Sequence, residues 1–201
     1  MLPLALIPLA LVAASGSVGA QDPARDVVAE VGRNLRENGS SGRAVRILRQ
    51  EESGHSQAAR DQIADSLTAL VMAYQPGGTV SLRVAEATRG ALAAAGADGR
   101  PGTPYPRAAA LLYRIAVGAD EALRAGALSA LSRQSDKPVA LEYLRRAAMW
   151  DDGFAHVAVS LLGRHAGADG RMVLRTLHGT RLVRNEQART ELAIIARNEG
   201  W

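Results

Sequence analysis

Three heptads constrain the fold of this chain more than any other feature. Residues 127–133 read ALSALSR, residues 158–164 read AVSLLGR, and residues 191–197 read ELAIIAR. The intervals between them are 31 and 33 residues. That is the length of a helix, a turn, a second helix and a second turn. A lone two-helix hairpin cannot cover its own apolar stripe. Stacking the next hairpin on it covers both, so the same residue types return at the same interval. The heptad is therefore expected to be the buried stretch of each second helix, with Leu128, Leu131, Leu162, Leu192 and Ile195 in the core.

Helical periodicity and capping residues extend this reading along the chain. Ala59, Ile63, Leu67, Leu70 and Tyr74 share one helical face, with Ser56 as its cap and Gln75-Pro76-Gly77-Gly78 as its breaker. Thr79 is expected to start the next helix, which buries Val84, Ala87, Ala91 and Ala95. Residues 96–106 (GADGRPGTPYP) read as a connector or exposed loop. Asp120, Asp136, Asp151 or Asp152, Asp169 and Asn185 are expected to cap the helices that follow. Each offers a side-chain acceptor to an otherwise unpaired first-turn N–H.

Composition agrees with an all-α chain. Ala, Leu and Arg dominate, aromatics amount to one Phe, two Trp and four Tyr, and β-branched runs bounded by turns are missing. No Cys is present, which excludes thiol chemistry, thiolate metal ligands and a lipid-anchored lipoprotein. Residues 1–20 read as a signal peptide. An apolar run is followed by small residues, and Val18 and Ala20 suit a peptidase site with cleavage after Ala20, although no Lys or Arg precedes the run. The apolar run spans roughly 21 Å as a helix, short of a hydrocarbon core of about 30 Å. Residues 21–201 are then a helical repeat domain, expected in the periplasm or outside the cell.

The segment DEALRAGALSALSR, the helix KPVALEYLRRA after it, and DDGFAHVAVSLLGR together resemble HEAT-like repeats of the short bacterial type. Leu123-Arg124 matches the start of such a unit and Leu162-Gly163-Arg164 its close. Phe154-Ala155 and Gln187-Ala188 depart from the Val-Arg start. The resemblance covers residues 107–197 and, to a lesser degree, 42–73. It implies antiparallel helix hairpins stacked as an α-solenoid, right-handed in its superhelix, that serves as a binding scaffold. It carries no catalytic residues to transfer. The spaced Trp, Gly, Tyr and Pro of tetratricopeptide repeats do not fit.

Residues that could carry chemistry are few. The histidines are His55, His156, His165 and His178, and no HExxH is present. Asp152 and His156 stand four apart on one helix, a spacing that can hold a metal, but no third ligand follows on that side. Asp152 is instead expected to cap, and no metal or cofactor is expected. His165 is expected to pack near its helix end. Asp151-Asp152 and Glu51-Glu52 read as helix-end charges. The glycines of 96–102 follow no strand and precede no Lys-Ser/Thr, so a phosphate loop is excluded.

The clearest polar pattern is basic. Arg171, Arg175 and His178 share one helix side, and Arg181 and Arg184 follow. The net charge of +4 lies entirely in residues 102–201. No aromatic residues are interleaved, so a nucleic-acid partner is not expected. The leading expectation is an exported, non-catalytic scaffold that binds a protein or peptide on the surface of successive second helices. The alternatives are a divergent hydrolase or metal enzyme using Asp152 and His156, and a peripheral module that meets an anionic surface through Arg171, Arg175, His178, Arg181 and Arg184.

Overall fold

Capping decides where most of the helices begin. In the computed structural model of the protein, the described residues are 29–30, 32–35, 37 and 41–201; the segment 1–20, expected to be a signal peptide, lies outside them. The named helices among the described residues are α1 (Gly42–Leu48), α2 (Gln57–Met72), α3 (Leu82–Gly96), α4 (Ala108–Gly118), α5 (Glu121–Leu131), α6 (Lys137–Ala148), α7 (Phe154–His165), α8 (Gly167–Thr180) and α9 (Glu186–Glu199). No β-strand occurs among the described residues, only one isolated bridge between Ala97 and Gln134. The protein is all-α.

Ser56, Asp120, Asp136 and Asn185 cap α2, α5, α6 and α9 as expected, each accepting from a first-turn N–H. Two starts differ. The helix expected from Thr79 begins at Leu82, with Ser81 as its cap. That register turns Val84, Ala85, Ala91, Leu92 and Ala95 inward, while Ala87 is only partly buried. Asp169 is not a cap: α8 begins two residues earlier, directly after the Ala166 corner, with no side-chain cap. The carboxylate sits instead in the first turn, where the positive end of the helix dipole favours it. Gly170 explains the tight corner, because a Cβ there would lie 2.3 Å from the Leu162 carbonyl oxygen.

Consecutive helices pack on one another, and each also packs on the helix two further along. α1, α3, α5, α7 and α9 thus touch in series, and so do α2, α4, α6 and α8. The three heptads fall on or at the end of α5, α7 and α9. Leu128, Leu131, Leu162 and Leu192 are buried. Ile195 is a correction: it is only partly buried, and Ala196 takes the inward place with Leu192. A Cβ on Gly163 would lie 3.2 Å from the Ile195 Cδ1 atom, so Ile195 covers α7 from the rim.

Arg124 on α5 ties the end of α4 to the turn that leads into α7. Its guanidinium donates to the Ala116 carbonyl at 2.8 Å and to the Asp152 carboxylate at 2.6 Å. It lies 4.1 Å from the Phe154 ring centroid and 5.3 Å from that of Trp150. Tyr113 on α4 stacks on Tyr143 on α6 at 4.4 Å, joining the even-numbered helices. Much of the small aromatic complement is therefore spent where hairpins meet.

Residues 97–106 form the exposed loop expected from the sequence, and it is pinned from beneath. Arg49 is 1% exposed, and its guanidinium donates to the carbonyls of Ala95, Ala97, Arg100, Pro101 and Gly102. The Thr103 N–H returns a bond to the Arg49 carbonyl. Tyr105 is buried, donates its hydroxyl to Asp61 at 2.6 Å, and bonds the Ala95 carbonyl through its N–H. Gln134 closes the other side with amide bonds to the Ala93 and Ala130 carbonyls. The Ser135 N–H donates to the Gly96 carbonyl at 2.9 Å, so the loop is fixed to the end of α1, to α2 and to the turn after α5.

Candidate functional site

The five basic residues singled out in the sequence do not converge. Arg171, Arg175 and His178 are exposed on α8, an even-numbered helix and so not on the second-helix surface. The Arg171 Nε atom lies 3.8 Å from Glu199 on α9. Arg184 reaches back to Asp151 at 3.7 Å. Arg181 ends α8 in the left-handed region at φ 55°. Only His178 and Arg181 meet, lining an open cavity of about 570 Å³ with Arg189 and Leu192.

The Asp152–His156 pair is not arranged as a ligand set. One Asp152 oxygen takes the Arg124 guanidinium and the other accepts from the Phe154 N–H. Its capping role is thus exercised from just outside the helix, with Gly153 at the cap position itself. Among the described residues, no three His, Asp or Glu side chains are grouped so as to hold a metal ion. His165 does not pack against its helix face; it is exposed in the last turn of α7.

A different constellation forms on the odd-numbered helices. A cleft of about 670 Å³ lies between α3 and α5, bordered by residues 97–100 and reaching His165 at the end of α7. Its cationic side chains are Arg89, Arg100, Arg133 and Lys137; Asp98 is the one acid in the lining. A second cleft of about 350 Å³ shares Gly90, Ala94 and Arg100 with the first, and continues onto α1 at Arg46 and Glu51. The two form one trough across α1, α3 and α5. Gly90, Ala93, Ala94 and Ala97 make much of its floor, so backbone lies close to the surface.

Arg89 is the most constrained of these cations. It is partly buried and donates to the Gly126 carbonyl at 2.9 Å. The bond depends on a glycine, because a Cβ on Gly126 would lie 2.8–3.0 Å from the guanidinium atoms. Burial lowers the Arg89 pKa, with Glu86 opposing and the Arg133 charge adding to the effect. Among the described residues Arg89, Arg100 and Arg133 make no ion pair, while Lys137 lies 3.5 Å from Asp98. Arg89 therefore feels the Glu86 carboxylate more strongly than the Arg133 guanidinium, and neither guanidinium has a carboxylate partner within ion-pair distance among the described residues.

Sequence reasoning missed this trough. Arg89 stands within an Ala-rich helix, and Arg133 closes a heptad read for its leucines. The available signal was the run of small residues around Arg89, which leaves a long cation without bulky neighbours. Comparison with family models, with curated proteins and with solved structures returns no match.

Proposed function

We propose that the chain is a non-catalytic scaffold, an α-solenoid of HEAT-like hairpins that acts outside the cytoplasm and binds a protein or peptide. Two features support the repeat reading: the recurring heptads, and the serial packing of each helix on the helix two further along. Export rests on the sequence of residues 1–20. The observation that carries the binding reading is the trough, which crosses three odd-numbered helices and whose guanidinium groups enter no ion pair among the described residues. Successive helices that present one face side by side make an extended surface, and that suits an extended partner better than a small molecule.

The test is a pull-down from the native cell with wild-type protein, with an Ala93→Glu/Arg133→Glu variant, and with an Arg171→Gln/Arg175→Gln variant. The scaffold reading expects a partner that the trough variant loses and the α8 variant keeps. Recovery of the same proteins by all three would overturn it.

A further inference from the structure

We propose that the trough takes an acidic protein segment, with Arg89 as the anchoring guanidinium and Arg100, Arg133 and Lys137 around it. This rests on the scaffold reading and names the chemistry of its partner. The charge sign comes first. Arg46, Arg89, Arg100, Arg133 and Lys137 line the trough against Asp98 and Glu51. Folding gathers these cations from residues far apart in the chain, so the trough is more basic than its neighbourhood in the sequence. Arg89 and Arg133 line the same cleft, so an arriving carboxylate could meet them through charge-assisted hydrogen bonds.

Preorganisation comes second. An exposed arginine must lose rotamer freedom when it binds. Arg89 has already lost much of it, because Gly126 holds one guanidinium N–H and leaves the rest of the fork free. The fork can then take a carboxylate in two parallel bonds.

Shape selects the kind of partner. The floor of Gly90, Ala93 and Ala94 lets a backbone approach, and the trough continues past one corner into a second cleft. An extended chain with repeated carboxylates fits that length, whereas a free phosphate would occupy only the Arg89 corner. No Phe, Tyr or Trp lines either cleft, so bases lack a large stacking platform. A flat lipid surface cannot reach a partly buried guanidinium at the wall of a cleft.

The experiment is fluorescence anisotropy of a labelled oligoglutamate peptide with the full chain at low salt, and an oligoglutamine peptide as control. Wild type is expected to bind oligoglutamate alone, and less tightly as salt rises. Arg89→Gln should weaken binding about tenfold, the usual consequence of losing hydrogen bonds to a charged group. Gly126→Ala keeps every charge and should also weaken binding, because it displaces the guanidinium. Arg171→Gln/Arg175→Gln should change nothing. If Arg89→Gln does not fold by circular dichroism, the exposed Arg133→Gln carries the same expectation. The proposal is overturned if oligoglutamine binds equally, or if the α8 variant loses binding while Arg89→Gln keeps it. It is also overturned if inorganic phosphate competes beyond its ionic strength, or if phosphatidylglycerol vesicles bind through Arg89. Failure of oligoglutamate to bind, with the cellular partner still lost by the trough variant, sinks the acidic-segment proposal and leaves the scaffold reading standing.

Discussion

Arg49→Met should destabilise the protein more than any surface change, although the residue looks in sequence like a solvated helix-end charge. Methionine keeps most of the apolar stem and removes the guanidinium. Arg49 Nη1 donates to Ala95 at 3.0 Å and Ala97 at 2.8 Å; Nη2 donates to Arg100 at 2.8 Å and Gly102 at 3.0 Å; Nε donates to Pro101. A hydrogen bond to a charged group contributes about 1.5–3 kcal/mol, but these bonds share one cation and do not add. Residues 98–103 are exposed, so water recovers part of the loss. Tyr105 still holds Ala95. A net cost of about 3 kcal/mol follows, which lowers the Tm by roughly 6–12 °C in a chain of this size. The assay is thermal unfolding by far-UV circular dichroism. Arg49→Lys is a second arm: an ammonium keeps the charge but lacks the planar fork, so it should recover little. An unchanged Tm for Arg49→Met would refute the reasoning. Full recovery by lysine would show that the charge matters and the fork does not.

Leu162→Ala, at a fully buried position on α7, should cost about 2–5 kcal/mol in urea unfolding; an unchanged midpoint would rule out the α7 register. Gly170→Ala should destabilise strongly, because its Cβ would meet the Leu162 backbone, whereas Gly179→Ala meets nothing and should gain up to about 1 kcal/mol of helix stability. Equal melting temperatures for these two variants would contradict the tight α7–α8 corner. The Tyr105 hydroxyl is the largest of the influences that hold the Asp61 carboxyl below its ordinary range, and burial together with Asp61 raises the Tyr105 pKa. A depressed carboxyl contributes stability above its unfolded pKa and loses it as pH falls through the folded value. The stability gap between wild type and Tyr105→Phe should therefore hold from neutral pH down to about pH 4 and narrow below it. A gap that stays constant through that acid range would show that the Asp61 bond is not its source.

The features legible in the sequence were those set locally. Ser56, Asp120, Asp136 and Asn185 cap their helices because a cap needs only an acceptor and the next turn of backbone. Leu128, Leu131, Leu162 and Leu192 were legible from the spacing of the heptads. Asp169 was misread because α8 starts where Gly170 can sit against Leu162, a contact between two helices. The 96–106 segment was legible as an exposed loop, but its anchoring was not. Its glycines signal a turn, with Gly99 and Gly102 at positive φ, but nothing nearby shows that its carbonyls converge on Arg49. The trough was hidden most deeply, since its cations come from α1, α3, the 97–100 loop, the α5–α6 turn and the start of α6. A stripe on one helix, such as Arg171 and Arg175, can be read from spacing. A cluster assembled between helices cannot.

The central claim is that binding occurs in the trough on the odd-numbered helices. Site-specific photo-crosslinking in the native cell tests it most directly, with benzoylphenylalanine placed either at Asp98 on the trough border or at Thr176 on the exposed side of α8. Mass spectrometry would then identify the attached peptides. The account predicts crosslinks from position 98 to a segment rich in Asp and Glu, and none from position 176. Crosslinks from 176 with none from 98 would contradict it.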